Sequence, residues 1–141
     1  MEDVMLKRIG VFVYGVVAYA TFFVTFLYAF GFVGNILVPK SIDSPAQGPL
    51  GMALLINAGL LGLFALQHSG MARSGFKSLL TKVVPEAAER STYVLLSSLC
   101  LILLFSQWQP IGGVIWSVED PYASLVLQAV FVFGWMLVLV T

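Results

Sequence analysis

Charge is what this sequence has least of. Only 10% of the 141 residues are Asp, Glu, Lys or Arg, against 60% hydrophobic. A water-soluble domain carries ~25% charged residues, so a chain this apolar has too little polar surface to stay wet without lipid. Formal net charge is zero, and no run of Lys and Arg is dense enough to grip a nucleic acid backbone. Cysteine is equally scarce: Cys100 stands alone, which excludes an internal disulfide and a cysteine-ligated zinc cluster. A single histidine, His68, excludes a paired-histidine metal or haem site. Gly-rich phosphate loops, His-x-x-x-His and Gly-x-Ser-x-Gly are all absent.

What is present is a set of long uncharged runs. Residues 9–39, 44–72, 91–118 and 121–141 contain no Asp, Glu, Lys or Arg. A bilayer's hydrocarbon core is about 30 Å thick and needs ~20 apolar helical residues to cross it. Four such runs predict an all-α, polytopic integral membrane protein with four transmembrane helices, forming a single membrane-embedded unit over 1–141. The first run is too long for the core of a cleaved signal peptide and has no Ala-x-Ala site close behind it.

The first helix is expected over about 9–37, stopped by Pro39 and followed by a polar loop over 40–45. The second covers about 50–72 and contains Ala58-x-x-x-Gly62, a spacing of small residues that lets another helix approach closely. Between the second and third helices, residues 74–84 place Phe76, Leu79, Leu80 and Val83 on one face and Lys77 and Lys82 on the other. That pattern suits a short amphipathic segment in the membrane interface. Pro85 suits a helix start, and Glu86 and Glu89 then complement the dipole of the first turn. The third helix runs to about Trp108, where Gln109 to Gly113 breaks it, and the fourth starts near Ala123. Trp108, Trp116 and Tyr122 are expected to form an aromatic belt at a membrane face.

Basic residues set the orientation. Lys7 and Arg8 precede the first helix, and Arg73, Lys77, Lys82 and Arg90 flank the connection between the second and third; the opposite loops hold only Lys40. Positive residues stay cytoplasmic, which predicts cytoplasmic termini. The last helix reaches Thr141 still apolar, with no basic anchor or polar tail, and the chain is accordingly expected to be the front part of a longer protein.

Chemistry has one obvious place to sit. His68 falls near the inner end of the second helix, Arg73 just beyond it, and Glu86, Glu89, Arg90, Ser91 and Tyr93 open the third. Ionisable groups at membrane depth are costly and mark functional paths. A neutral imidazole accepts a proton from a thiol or donates to a ligand. Each residue also has a plainer reading: His68 as a lock between two helices, Glu86 and Arg90 as a surface pair, Arg73, Lys77 and Lys82 as positive-inside anchors. Asn57 lies mid-membrane, where an unpaired amide is expensive, and is expected to bond across helices or line a path.

The segments Tyr28-Ala-Phe-Gly-Phe-Val-Gly-Asn35, Val38-Pro-Lys-Ser-Ile-Asp43, Gln67-His-Ser-Gly-Met-Ala-Arg73 with Phe76-Lys77, Glu89-Arg-Ser-Thr-Tyr-Val94 after Pro85, and Trp108-Gln-Pro110 together resemble the start of bacterial methanethiol S-methyltransferases. Similar motifs occur in NnrU-type membrane proteins, and both resemble the wider isoprenylcysteine carboxyl methyltransferase class. The resemblance implies a multi-pass enzyme of the bacterial inner membrane, N-terminus cytoplasmic, that moves a methyl group from S-adenosylmethionine to methanethiol and gives dimethyl sulfide. It implies a small thiol and the lipid bilayer as partners, with no nucleic acid and no metal. By location and charge, the candidate catalytic residues are His68 and Glu89, and the candidate cofactor-binding residues are Arg73, Arg90 and Tyr93. Such enzymes also carry an Arg-His-Pro segment and a late Glu-Glu pair; this sequence holds no His-Pro and no Glu-Glu dipeptide, so residues 1–141 by themselves are expected to be inactive. The alternative is an NnrU-like non-catalytic transporter or accessory subunit.

Overall fold

A computed structural model describes residues 2–141. They form α1 (Glu2–Gly34), α2 (Leu50–Met71), α3 (Ser74–Leu80), α4 (Glu86–Gln107) and α5 (Pro121–Val140), with no strand among the described residues. Four of the five, α1, α2, α4 and α5, are long and apolar enough to cross a membrane. The short α3 falls where the amphipathic segment was expected. The all-α, four-span reading of the sequence therefore holds. By compactness the chain divides into two units, one up to Ile111 and one from Gly112 to Thr141.

In the first unit α4 is central and packs against both α1 and α2. Side-chain pairings fix the directions. Tyr14 donates its hydroxyl to Thr92 Oγ1 at 3.0 Å in the first half of both α1 and α4, and the Tyr28 and Phe105 rings meet at 5.3 Å near their ends. The two helices therefore run parallel. On α2, His68 meets Tyr93 while Asn57 meets Gln109, so α2 runs antiparallel to both. The start of α1, the end of α2 and the start of α4 consequently share one rim, and that rim carries all six basic residues other than Lys40.

Small side chains allow the close approach. Ala18 and Ala29 of α1, Ala53 of α2 and Ala88, Ser91, Ser97 and Ser98 of α4 are buried, and a Cβ on Gly15 would stand 3.4 Å from Ser91 Oγ. The Ala58–Gly62 stripe is not part of this packing. Ala58 is exposed and nothing lies within 4 Å of a Cβ at Gly62. The α2 stripe that faces α4 is instead Ala53, Asn57, Phe64 and His68, spaced at helical intervals.

The opposite rim is held by loops. Helix α1 ends at Gly34, three residues before the expected stop at 37, because Asn35 turns into the left-handed region at φ 53°. Ile36 N–H then donates to Gly31 O at 2.9 Å, the bond that closes a helix C-terminus around a left-handed residue. Only glycine fits at position 31, where a Cβ would approach Ile36 O to 2.6 Å. Lys40 Nζ donates to Ser106 O at 2.8 Å, a cation on the carbonyl end of α4. The buried Ser41 donates its hydroxyl to Asn35 Oδ1 at 2.7 Å.

Of the two readings of Asn57, the bond across helices holds: its Nδ2 donates to Gln109 O at 2.8 Å and its Oδ1 accepts from Gln109 N–H at 2.9 Å, so one buried amide pairs both backbone groups of a residue just past α4. The expectation for Trp108 is corrected. Trp108 is not a belt residue. It is 8% exposed and stands edge-on to Phe32 at 5.8 Å, because α4 stops at Gln107 and turns the indole inward. Trp116 and Tyr122 are exposed.

In the second unit α5 begins at Pro121 behind Asp120, whose carboxylate accepts from Ala123 N–H at 2.8 Å. The unit starts with Gly112 and Gly113, both at positive φ, a conformation open to glycine at little cost.

Candidate functional site

On α4, Glu89, Tyr93 and Ser97 are spaced four apart and share one face. On α2, Phe64 and His68 share the face opposite. The antiparallel packing of the two helices brings these faces together near the basic rim. The His68 imidazole stacks on Phe64 with centroids 5.1 Å apart and 27° between planes. The Tyr93 ring lies 5.3 Å from the imidazole, with the Tyr93 hydroxyl 3.0 Å from Nδ1 and 3.2 Å from Nε2. That hydroxyl also reaches the His68 carbonyl oxygen at 3.2 Å, and Ser97 Oγ lies 3.4 Å from Nδ1.

These distances allow a specific proton arrangement. Tyr93 O–H donates to the His68 carbonyl, and its oxygen accepts from His68 Nδ1–H. Nε2 then keeps its lone pair. A ring nitrogen whose partner nitrogen is held by a hydrogen bond has a defined tautomer and orientation, which a base needs. Within the described residues the imidazole is exposed, so a reactant can approach it from outside the helix pair.

Beside the imidazole lies a cavity of about 320 Å³ lined by Ala72, Lys77, Glu89, Arg90 and Tyr93. Its volume is at the small end of the ~300–1,000 Å³ typical of small-molecule sites. Two cations and one carboxylate line it, and the Tyr93 side chain is common to the cavity and the imidazole network. The structure thus brings together His68, Glu89, Arg90 and Tyr93. It does not bring in Arg73, which is exposed, precedes α3 and is not among the lining residues. Lys77 takes that place: α3 turns the chain so that the residue one helical turn after Arg73 faces the cavity. Ser97 was also not singled out from sequence, although its spacing of four from Tyr93 was the available signal. Among the described residues no three His, Cys, Asp or Glu side chains come together.

A larger groove of about 540 Å³ lies between α1 and α4, lined by residues such as Thr21, Thr25, Tyr28 and Phe105. Its threonine hydroxyls are already bonded within their own helix, Thr21 to Val17 O at 2.8 Å and Thr25 to Thr21 O at 2.7 Å. Ser98 of α4 likewise bonds Val94 O at 2.8 Å. The mid-helix hydroxyls are back-bonded to their own turns and form no polar track.

The chain is 50% identical over 141 residues, its whole length, to the methanethiol S-methyltransferase of Crocosphaera subtropica, and covers 55% of that protein. It is 52% identical over 127 residues, 90% of its length, to methanethiol S-methyltransferase 1 of Bradyrhizobium diazoefficiens, covering 45% of it. Over its whole length the chain is similar to the methanethiol S-methyltransferases. It spans about half the length of these curated relatives. Nurim of Xenopus laevis is 37% identical over 89 residues, 59% of this chain and 31% of Nurim, so the methanethiol S-methyltransferase likeness is both stronger and longer. No family model matches the chain, and no solved structure matches it.

Proposed function

We propose that this chain is part of a membrane-embedded, S-adenosylmethionine-dependent methyltransferase that converts methanethiol to dimethyl sulfide, with its termini and basic rim on the cytoplasmic face of a bacterial inner membrane. One observation carries the reading: the His68 imidazole, oriented by Tyr93 and Ser97, stands beside the cavity of Lys77, Glu89 and Arg90 in a chain about half identical to methanethiol S-methyltransferases.

The donor set fits the methyl donor. An α-amino acid end presents a carboxylate and an ammonium, and the cavity offers Arg90 and Lys77 to the first and Glu89 to the second. When bound, S-adenosylmethionine supplies an electrophilic methyl group on a sulfonium. The chain's residues do the rest. A thiolate, not a thiol, is the nucleophile, and His68 Nε2 takes the thiol proton. Tyr93 holds Nδ1–H and so keeps the ring in the basic tautomer. Phe64, stacked on the imidazole, limits its rotation and keeps water off one face. Arg73 stays outside this set as a membrane-interface anchor.

The experiment is direct. Membranes holding the full-length protein, given methanethiol and methyl-labelled S-adenosylmethionine, should release labelled dimethyl sulfide, measured by gas chromatography. Membranes that take up both compounds and release none would overturn the reading. Because the chain covers about half of its relatives and holds neither a His-Pro nor a Glu-Glu dipeptide, residues 1–141 purified by themselves are expected to make no dimethyl sulfide in the same assay.

A further inference from the structure

The methyl-transfer reading leaves Lys7 and Arg8 without a task. They occupy the second turn of α1 and line a cavity of about 610 Å³ together with Gly10, Val11, Pro85 and Ala87. A second cavity of about 400 Å³ is lined by Val11, Phe12, Gly15, Val16, Tyr19 and Ala87. The two share Val11 and Ala87 and form one trough along α1. Its mouth is cationic and its floor apolar, and no carboxylate is among its lining residues. The mouth is roomy as well, since nothing lies within 4 Å of a Cβ at Gly10. At 1.5 Å per residue, Arg8 to Tyr19 covers roughly 16 Å, the depth of one leaflet of a core about 30 Å thick.

A charged head over a one-leaflet apolar slot is complementary to one kind of molecule. We infer that this trough binds a single anionic phospholipid, its phosphate against Lys7 and Arg8 and one acyl chain along residues 11–19. Lysine and arginine at the membrane surface attract anionic head groups, and the arginine fork suits phosphate oxygens. A zwitterionic phospholipid offers the same acyl chain but brings a cation toward Lys7 and Arg8. The trough thus tells lipids apart by head-group charge. This assignment is independent of the methyl-transfer site, which lies on α2, α3 and the other face of α4.

Native mass spectrometry of the full-length protein in detergent tests it, using phosphatidylglycerol and phosphatidylcholine with identical acyl chains. The unaltered protein is expected to retain one phosphatidylglycerol at least fivefold more strongly than phosphatidylcholine. Lys7→Ala/Arg8→Ala should abolish that preference, whereas Lys82→Ala, a charge lost outside the trough lining, should leave it within twofold. Ala87→Trp fills the trough with both cations in place and should cut bound phosphatidylglycerol at least fivefold; Val11→Trp does the same from the α1 wall if the first variant misfolds, as judged by its helix content. Equal retention of the two lipids overturns the proposal. So does a preference that survives the loss of Lys7 and Arg8, or full binding by a folded Trp variant. Absence of any bound lipid overturns it in favour of a protein segment lying in the trough.

Discussion

The importance of Tyr93 at the candidate site lies in one oxygen. That oxygen sits within hydrogen-bonding distance of both His68 ring nitrogens and of the His68 carbonyl, a position from which it can hold the imidazole in one tautomer. Two substitutions separate base from orienter. His68→Ala removes the proposed base, and general-base contributions run to about 10²–10⁴-fold; dimethyl sulfide release should fall at least 100-fold with helix content by circular dichroism unchanged. Tyr93→Phe keeps the ring against His68 and deletes only the oxygen. Turnover should fall about tenfold, in line with a misoriented base rather than an absent one, while KM for methanethiol changes by less than twofold. Turnover undiminished in His68→Ala would remove this histidine from the chemistry. Sequence alone singled out His68, Glu89, Arg90 and Tyr93 because titratable groups are so rare here. It could not separate Arg73 from Lys77, since which of two cations a turn apart faces the cavity depends on how α3 leaves α2.

At the level of the element, the helices are long but their ends are specific. Asn57 of α2 pairs the N–H and C=O of Gln109, which α4 cannot pair after it stops. Asn57→Ala strands both backbone groups in a buried place, at a cost of about 1–3 kcal/mol for each unsatisfied group. The midpoint for unfolding in mixed detergent micelles should drop accordingly. Gly31 is the second such point. A Cβ there meets the carbonyl of Ile36, and that carbonyl belongs to the turn closing α1. Gly31→Ala should destabilise by about 1–3 kcal/mol, the usual cost of overpacking, in the same unfolding measurement; Gly62→Ala, where the space is open, serves as its neutral counterpart. Helix existence was legible because each long uncharged run holds about 20 mostly apolar residues, enough to cross a bilayer as a helix. Helix ends were less so: the stop of α1 at Gly34 depends on Asn35 entering the left-handed region, and Pro39 was the more conspicuous signal.

For the whole molecule, the parallel course of α1 and α4 with α2 between them in sequence puts six of seven basic residues on one rim of the first unit. By the positive-inside rule that rim is the one proposed to face the cytoplasm. Substituted-cysteine labelling checks this. In a Cys100→Ala background, Lys82→Cys should react with a membrane-impermeant maleimide only after the cytoplasmic side is opened, and Ile42→Cys, in the loop after α1, should react in intact spheroplasts. The reverse pattern would place His68 and its cavity on the wrong side for a cytoplasmic methyl donor.

Four apolar spans, their order, and the clustering of basic residues follow from composition and spacing along the chain, because lipid forces every backbone polar group of a spanning segment into its own helix. Which residues meet across those helices does not follow. Small side chains at many positions permit several packings, and only the assembled first unit selects the one that turns Ala58 and Gly62 away from α4. The same packing buries Trp108, gives Asn57 a backbone to hold, and sets Lys77 rather than Arg73 beside Glu89 and Arg90. Contacts between residues dozens of positions apart depend on how helices rotate about their own axes, and that rotation is fixed by packing, which no local pattern encodes.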